Sequence, residues 1–155
     1  MSHEALLPGS LHDDAWWSEQ GESHEGIDPD VWGPSVWRGL HFQAEALHRV
    51  ATPEQKEAFA SALLGLGALL PCRKCRRHYP AALRAALMRR RDQEPVRSTE
   101  NAHGHAVQLL ARQPIVGRHD ARRLAWLLHD EVNRRLKRSS PAFDALESRM
   151  MSLRK

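Results

Sequence analysis

The feature that most constrains the fold is a series of helix-start signals, each followed by apolar residues that recur every three or four positions. The clearest is Thr52-Pro53-Glu54-Gln55, where Thr52 can cap a helix and Gln55 completes a capping box. Proline also suits the first position of a helix, because its missing N–H would be unpaired there. No stretch alternates apolar and polar residues as a half-buried strand does. The sequence therefore predicts an all-α fold.

The same signals set the expected helix boundaries. We expect helices from Pro34 to about His48, from Pro53 to about Leu69, from Cys72 to about Arg91, from about Ser98 to Gln113 and from Ala121 to about Lys137, and a short helix after the Ser140-Pro141 cap. Pro71 should stand at the start of the third helix, and Pro80 should bend or break it. Asp120 should cap the fifth helix.

Length and composition favour one folded domain with a tail. The chain has 155 residues, of which residues 1–30 are predicted to be a flexible arm and residues 31–155 the domain. No run is long and apolar enough to cross a membrane, and the N-terminus lacks the features of a signal peptide, so we expect a cytoplasmic protein. The net charge of +4 and the many arginines favour an acidic partner or a phosphate-bearing cofactor, although arginines also occur on solvated helix faces.

The only two cysteines, Cys72 and Cys75, stand three positions apart at a predicted helix start. The positive end of a helix dipole stabilises a thiolate in that position. Cationic side chains between residues 73 and 77 add further positive charge. This setting is typical of a redox-active pair, in which a dithiol and a disulfide interconvert.

Three other interpretations of the pair are possible. Buried structural thiols favour apolar surroundings, whereas cations flank these two. Cys72, Cys75 and His78 form half of a zinc site, which would need a fourth ligand from another histidine or a carboxylate. A structural disulfide between residues three apart closes too short a loop to add much stability. The redox-active pair is the best single interpretation, and we expect no bound metal.

Two predicted helices carry polar residues on the face that should be buried. Trp37 and His41 lie one turn apart on the first helix, and His129 and Asn133 lie one turn apart on the fifth. Polar groups on a buried face need hydrogen-bond partners. We therefore expect something with hydrogen-bonding edges to lie against the helix of His129 and Asn133.

The order of these motifs resembles the Erv/ALR family of FAD-dependent sulfhydryl oxidases over about residues 31 to 144. Three motifs carry the resemblance: G-x-x-x-W-x-x-x-H from Gly33, P-C-x-x-C from Pro71 and H-x-x-V-N-x-x-L from His129. Members of the family fold as four helices that cradle FAD, with a short fifth helix, and they are commonly homodimers. The resemblance implies a four-helix bundle with short additional helices, FAD as cofactor and a homodimer.

The resemblance also implies roles for individual residues. Cys75 matches the cysteine that lies against the flavin ring, and Cys72 matches the more accessible thiol that exchanges with substrate. The implied activity forms disulfides in substrate proteins and passes electrons through FAD to molecular oxygen, giving hydrogen peroxide. The implied cofactor-binding residues, with the arginines near the phosphates, are Gly33, Trp37, His41, His78, His129, Val132, Asn133, Arg135 and Arg138.

The chain departs from the usual pattern of the family in three respects. Asp130 replaces the Asn that usually follows His129, and residues from about 93 to 118 form an insertion. The second structural disulfide and the shuttle disulfide of many members are missing, because there is no third cysteine. We therefore expect a dithiol substrate protein, such as a thioredoxin-like redox partner, to reach Cys72 directly. Members of this reduced kind include cytosolic enzymes of large DNA viruses.

Two alternatives come from other classes of protein. A zinc-binding helical module would use Cys72, Cys75 and His78 as ligands. A basic nucleic-acid-binding module would contact phosphates through the cations of residues 73–77 and 89–91. Neither alternative explains the ordered set of motifs, so we expect no nucleic-acid partner.

Overall fold

The computed structural model describes residues 26–155. Residues 1–25 of the predicted flexible arm lie outside this range. Over the described residues the chain forms helices and no strand, with one isolated β-bridge between Gly26 and Cys72. The all-α prediction is therefore confirmed. The helices are α1 (Pro29–Glu45), α2 (Pro53–Leu66), α3 (Arg73–Arg90), α4 (Ala102–Arg112), α5 (Arg118–Arg135) and α6 (Phe143–Ser152), and a 3-10 turn covers Gly67–Leu69.

The first two helices begin at side-chain caps. In α2 the predicted capping box is confirmed, because Gln55 N–H donates to Thr52 Oγ1 at 3.2 Å and Thr52 N–H donates to Gln55 Oε1 at 3.3 Å. The predicted start of α1 at Pro34 is wrong. Asp28 caps this helix five residues earlier by accepting the N–H of Asp30 at 2.9 Å, and Pro34 lies inside it.

The predicted cap of α5 is also wrong, because a different partner occupies the carboxylate. Asp120 accepts the N–H of Val116 at 2.9 Å and lies 3.5 Å from Arg90 Nε. The helix begins at Arg118, and Gly117 precedes it without a side-chain cap. Gly117 lies so close to the carbonyl of residue 49 that a Cβ there would clash with it. The loop before α5 is therefore fixed by tertiary contacts rather than by a local cap.

A similar competition moves the start of α6. The Ser140 hydroxyl accepts a hydrogen bond from Asn133 Nδ2 at 3.0 Å, so it does not cap the helix. The helix begins at Phe143 after Ala142, which has no capping side chain. The Pro141 carbonyl accepts a hydrogen bond from the Trp126 indole at 2.9 Å. These two hydrogen bonds tie the segment before α6 to α5.

Two further boundaries concern α3 and α4. Pro80 does not break α3, which is continuous from Arg73 to Arg90. The helix expected from Ser98 begins at Ala102, because Asn101 before it has a left-handed backbone with φ of +51°. The segment before the helix is bound by the side chain of Arg84. Its guanidinium donates to Val96 O at 3.3 Å and to Glu100 O at 2.9 Å. The segment from about 93 to 118 thus packs onto α3 through α4.

The core lies around α3, which packs against α4 and α5, and α1 packs against α5. Full burial of a leucine or isoleucine side chain contributes about 1.5–3 kcal/mol to the stability of the fold. Within residues 26–155, no helix has the length and apolar character that a membrane span requires. The largest fully buried side chains are Leu63, Leu83, Leu87, Ile115, Leu124 and Leu128.

Candidate functional site

Cys72 and Cys75 form a disulfide at the N-terminus of α3. Cys72 has an extended backbone and occupies the N-cap position. The prediction that Pro71 takes the first helical position is therefore wrong, because Pro71 lies before the cap. The sulfur of Cys72 accepts the N–H of Cys75 at 3.2 Å. The disulfide therefore lies at the positive end of the α3 dipole, where a thiolate released by reduction would be stabilised.

A cleft of about 1200 Å³ opens beside this disulfide, between α1, the first half of α3 and the last turns of α5. Pockets that bury drug-sized ligands usually measure about 300–1,000 Å³, so this cleft has room for a drug-sized ligand or a larger one. Every site residue predicted from the sequence lines it: Gly33, Trp37, His41, Cys72, Cys75, His78, His129, Val132, Asn133, Arg135 and Arg138.

One wall of the cleft is built from an indole and two imidazoles. The Trp37 and His129 rings stack with centroids 4.1 Å apart and planes 8° from parallel. His41 Nε2 lies 3.2 Å from His129 Nδ1, so the two rings share a hydrogen bond. Burial lowers the pKa of His129 to about 4, with a smaller contribution from His41. Burial also lowers the pKa of His41, against an opposing effect of Glu45. Both imidazoles are therefore neutral at pH 7.

Two imidazole nitrogens in the cleft are buried without a hydrogen-bond partner. Over residues 26–155, three buried side-chain nitrogen or oxygen atoms lack a hydrogen-bond partner, and two of them are His41 Nδ1 and His78 Nδ1. An unsatisfied buried polar atom costs about 1–3 kcal/mol. A ligand that offered hydrogen bonds to these nitrogens would recover that energy.

The rim of the cleft beside α3 and α5 is cationic. Within the described part of the chain, no carboxylate forms an ion pair with Lys74, Arg77 or Arg135. Burial lowers the pKa of His78, and the neighbouring charges of Arg135, Arg77 and Lys74 lower it further. Burial and then Arg77 lower the pKa of Arg135 in the same way. This surplus of positive charge favours an anionic group such as a phosphate.

Asp130, the departure from the family pattern, does not line the cleft. Its carboxylate accepts hydrogen bonds from Arg89 at 2.7 Å and from Arg134 at 2.8 Å. Burial raises the pKa of Asp130, but the hydrogen bonds from Arg134 and Arg89 outweigh that effect and the net pKa is lowered. Glu131 accepts from Arg89 at 2.8 Å and from Arg97 at 2.9 Å. These negative charges are compensated outside the cleft.

The prediction that Cys72 is the more accessible cysteine is wrong for this structure. Cys72 is only 4% exposed, whereas Cys75 is half-buried. The reason is a contact from a distant part of the sequence. Gly26 forms a β-bridge with Cys72, and Ile27 N–H donates to the Pro71 carbonyl at 2.6 Å.

The lining of the cleft also includes residues outside the predicted set of site residues. Trp32 and Tyr79 add aromatic surface, and Lys74 and Arg77 supply charge at the rim. One signal could have found Tyr79, because residues 75, 78, 79 and 82 have the spacing of a single helix face. Tyr79 is buried and donates to the Leu63 carbonyl at 2.6 Å, which fixes the floor of the cleft against α2.

The fold and the site define an all-α protein with a disulfide in a basic, aromatic cleft. Comparisons with protein-family models, curated proteins and solved structures found no match. The similarity to the Erv/ALR family therefore stays a prediction from the sequence motifs. Among residues 26–155, no group of three or more His, Cys, Asp or Glu side chains is placed to hold a metal ion. Chemically, the arrangement can exchange a disulfide beside a bound, anionic, ring-bearing ligand.

Proposed function

We propose that this protein is an FAD-dependent sulfhydryl oxidase that forms disulfides in substrate proteins. One observation carries the proposal: the Cys72–Cys75 disulfide lines the same cleft as the stacked Trp37 and His129 rings and the cationic rim. A redox-active cysteine pair needs an electron acceptor close by, and a cleft of this size and charge lies next to it. The zinc alternative requires free thiolates, so it applies only to a chain in which this disulfide is reduced.

The residues of the cleft fit a flavin dinucleotide. Trp37 and His129 offer flat surfaces for ring contacts, and the unpaired Nδ1 atoms of His41 and His78 can bond to polar ring edges. Arg135 and Lys74 can hold the negative charge of a pyrophosphate. Bound FAD would supply the two-electron acceptor that regenerates the disulfide and delivers the electrons to dioxygen as hydrogen peroxide.

The chain itself would carry out the exchange with substrate. A thiolate of the substrate dithiol bonds to the sulfur of Cys72, and the Cys72–Cys75 bond breaks with Cys75 leaving as a thiolate. The second substrate thiolate then attacks the mixed disulfide, so that Cys72 leaves as a thiolate and the substrate gains a disulfide. The substrate is oxidised by two electrons and the enzyme pair is reduced by two electrons. The N-terminus of α3 and its cations stabilise both leaving thiolates.

Visible absorption of the purified protein tests this proposal. After incubation with FAD and removal of excess, we expect a flavin band at about 450 nm that dithiothreitol bleaches and air restores, with hydrogen peroxide released. The Cys75→Ala variant should keep the band but lose bleaching by dithiothreitol and peroxide release. Arg149→Ala, which changes an exposed side chain of α6 outside the cleft, serves as the control. A protein that stays colourless after incubation with FAD would refute the oxidase proposal and favour a zinc-binding or nucleic-acid-binding module.

A further inference from the structure

Residues 26–28, which we call the strap, lie across the backbone that leads into the disulfide. Gly26 pairs with Cys72 in an antiparallel bridge, and Ile27 N–H donates to the Pro71 carbonyl at 2.6 Å. The Trp32 indole fixes the other side of the strap by donating to the Ile27 carbonyl at 2.9 Å. The strap therefore adds one short extended segment to the edge formed by residues 71–72.

The contact between the strap and this edge is too close for any residue except glycine. Gly26 has φ of +138°, a backbone conformation that other residues rarely adopt. A Cβ at this position would clash with the Pro71 carbonyl oxygen and would lie 2.9 Å from Cys72 Cα. Even a single added methyl group would thus push the strap away from Cys72.

The strap has a direct consequence for the proposed exchange reaction. Thiol–disulfide exchange depends on access to the attacked sulfur. Cys72 lines the cleft but is only 4% exposed while the strap is seated, which leaves the dithiol of a folded protein little room to reach it. Either the strap moves or the reaction does not use Cys72.

Resting on the proposed function, we infer that the strap is a displaceable cover and that the backbone of residues 71–72 is the docking edge for an extended segment of the substrate protein. The strap itself demonstrates what this edge accepts: an extended peptide with a glycine opposite Cys72 and an N–H directed at the Pro71 carbonyl. Addition of an extended peptide to an exposed edge is a common mode of recognition. A substrate segment that takes the place of the strap with a glycine opposite Cys72 can bring a cysteine at a neighbouring position close to the sulfur of Cys72. Displacement of the strap changes no covalent bond, so the exchange proceeds as described above.

The first arm of the test measures access to Cys72 and needs neither FAD nor oxidase activity. In a Cys75→Ser background Cys72 is the only cysteine of the chain, and its alkylation by iodoacetamide can be followed by mass spectrometry. Gly26→Ala unseats the strap by steric clash, and Ile27→Pro removes the N–H that donates to Pro71. Both should accelerate alkylation roughly five- to thirtyfold, the factor that corresponds to the loss of one or two hydrogen bonds.

Gly65→Ala is the matched control, because Gly65 is exposed on α2 and an added Cβ there meets no atom within 4 Å. This variant should alkylate at the rate of its Cys75→Ser parent. Circular dichroism and thermal unfolding of each variant exclude general unfolding as the cause of faster alkylation. Equal rates for the parent, Gly26→Ala and Ile27→Pro would overturn the inference, since Cys72 would then be accessible with the strap in place.

The second arm compares a small dithiol with a protein dithiol in the FAD-loaded full chain with both cysteines. Releasing the strap should increase turnover of reduced thioredoxin, whose dithiol must approach as part of a folded protein, more than turnover of dithiothreitol. An equal effect on both substrates would overturn the docking edge while leaving the cover intact. A wild-type chain that binds no FAD and oxidises neither dithiol would refute the proposed function, and the alkylation arm would still decide whether the strap covers Cys72.

Discussion

Replacing Asp130 with asparagine would introduce the residue that the Erv/ALR motif has at the matching position, yet the structure predicts a less stable protein. The Asp130 carboxylate is mostly buried and holds Arg89 at 2.7 Å and Arg134 at 2.8 Å. An asparagine of similar volume keeps one acceptor oxygen but no charge. The replacement therefore weakens two charge-assisted hydrogen bonds without opening a cavity.

The magnitude follows from the exposure of the two arginines. Arg134 is 56% exposed, so its ion pair contributes at most about 0.5 kcal/mol. Arg89 is 18% exposed but keeps a second partner in Glu131 at 2.8 Å. Weakening its bond to Asp130 therefore costs about 1 kcal/mol of stability. We expect Asp130→Asn to lower the free energy of unfolding by about 1–2 kcal/mol at pH 7. Arg134→Ala, the matched control for the exposed pair, should cost about 0.5 kcal/mol or less.

Urea denaturation between pH 7 and pH 3 provides the assay and checks the sign of the effect. The pKa of Asp130 is lower in the folded state than in the unfolded state, so its stabilising contribution is complete above the unfolded pKa of about 3.9 and is lost as the pH falls below it. The difference between wild type and Asp130→Asn should be constant from pH 7 to pH 5 and should shrink below about pH 4. Because Asp130 does not line the cleft, FAD binding should not change. An Asp130→Asn protein as stable as wild type at pH 7 would refute this account of the arginine network.

Three other predictions concern the cleft and the core beneath it. Burial lowers the pKa of His129 to about 4, so the contribution of the neutral ring to stability is complete above the unfolded pKa of about 6.5 and is lost as the pH falls towards 4. His129→Gln should therefore reduce the slope of the free energy of unfolding against pH between pH 6.5 and pH 4, and an unchanged slope would contradict this assignment. Leu128→Ala should lower the free energy of unfolding by about 2–5 kcal/mol in urea denaturation, because the side chain is fully buried and leaves a cavity. Arg135→Ala should weaken FAD binding, measured by fluorescence titration, by roughly tenfold or more through loss of a charge-assisted phosphate contact, whereas Arg149→Ala should bind FAD like wild type.

Local signals in the sequence predicted the helices and the composition of the cleft. The capping box of Thr52 and Gln55 lies within four residues, so it was visible without knowledge of the fold. The helical spacing of Trp37 with His41, and of His129 with Asn133, placed each pair on one face. Packing of α1 against α5 then brings these two faces to one cleft.

Features that depend on distant partners were not predictable in this way. Asp120 is a residue type that caps helices, but its carboxylate lies 3.5 Å from Arg90, which is remote in sequence, and also accepts the N–H of the nearby Val116. The burial of Cys72 depends on Gly26, which is far from it in sequence. A one-residue sequence signal cannot reveal which of several chemically suitable partners the tertiary structure will supply.

The hydrogen bond between His41 and His129 has a consequence for ligand recognition. Each neutral imidazole carries one proton, and the bond between Nε2 of His41 and Nδ1 of His129 uses one donor and one acceptor. The remaining nitrogens, Nδ1 of His41 and Nε2 of His129, must then be of opposite character: one donates and the other accepts. Shifting the proton within the bond, together with a change of tautomer in both rings, exchanges these two roles without changing the net charge. The pair can therefore adapt to either orientation of a complementary polar edge while the wall of the cleft stays neutral.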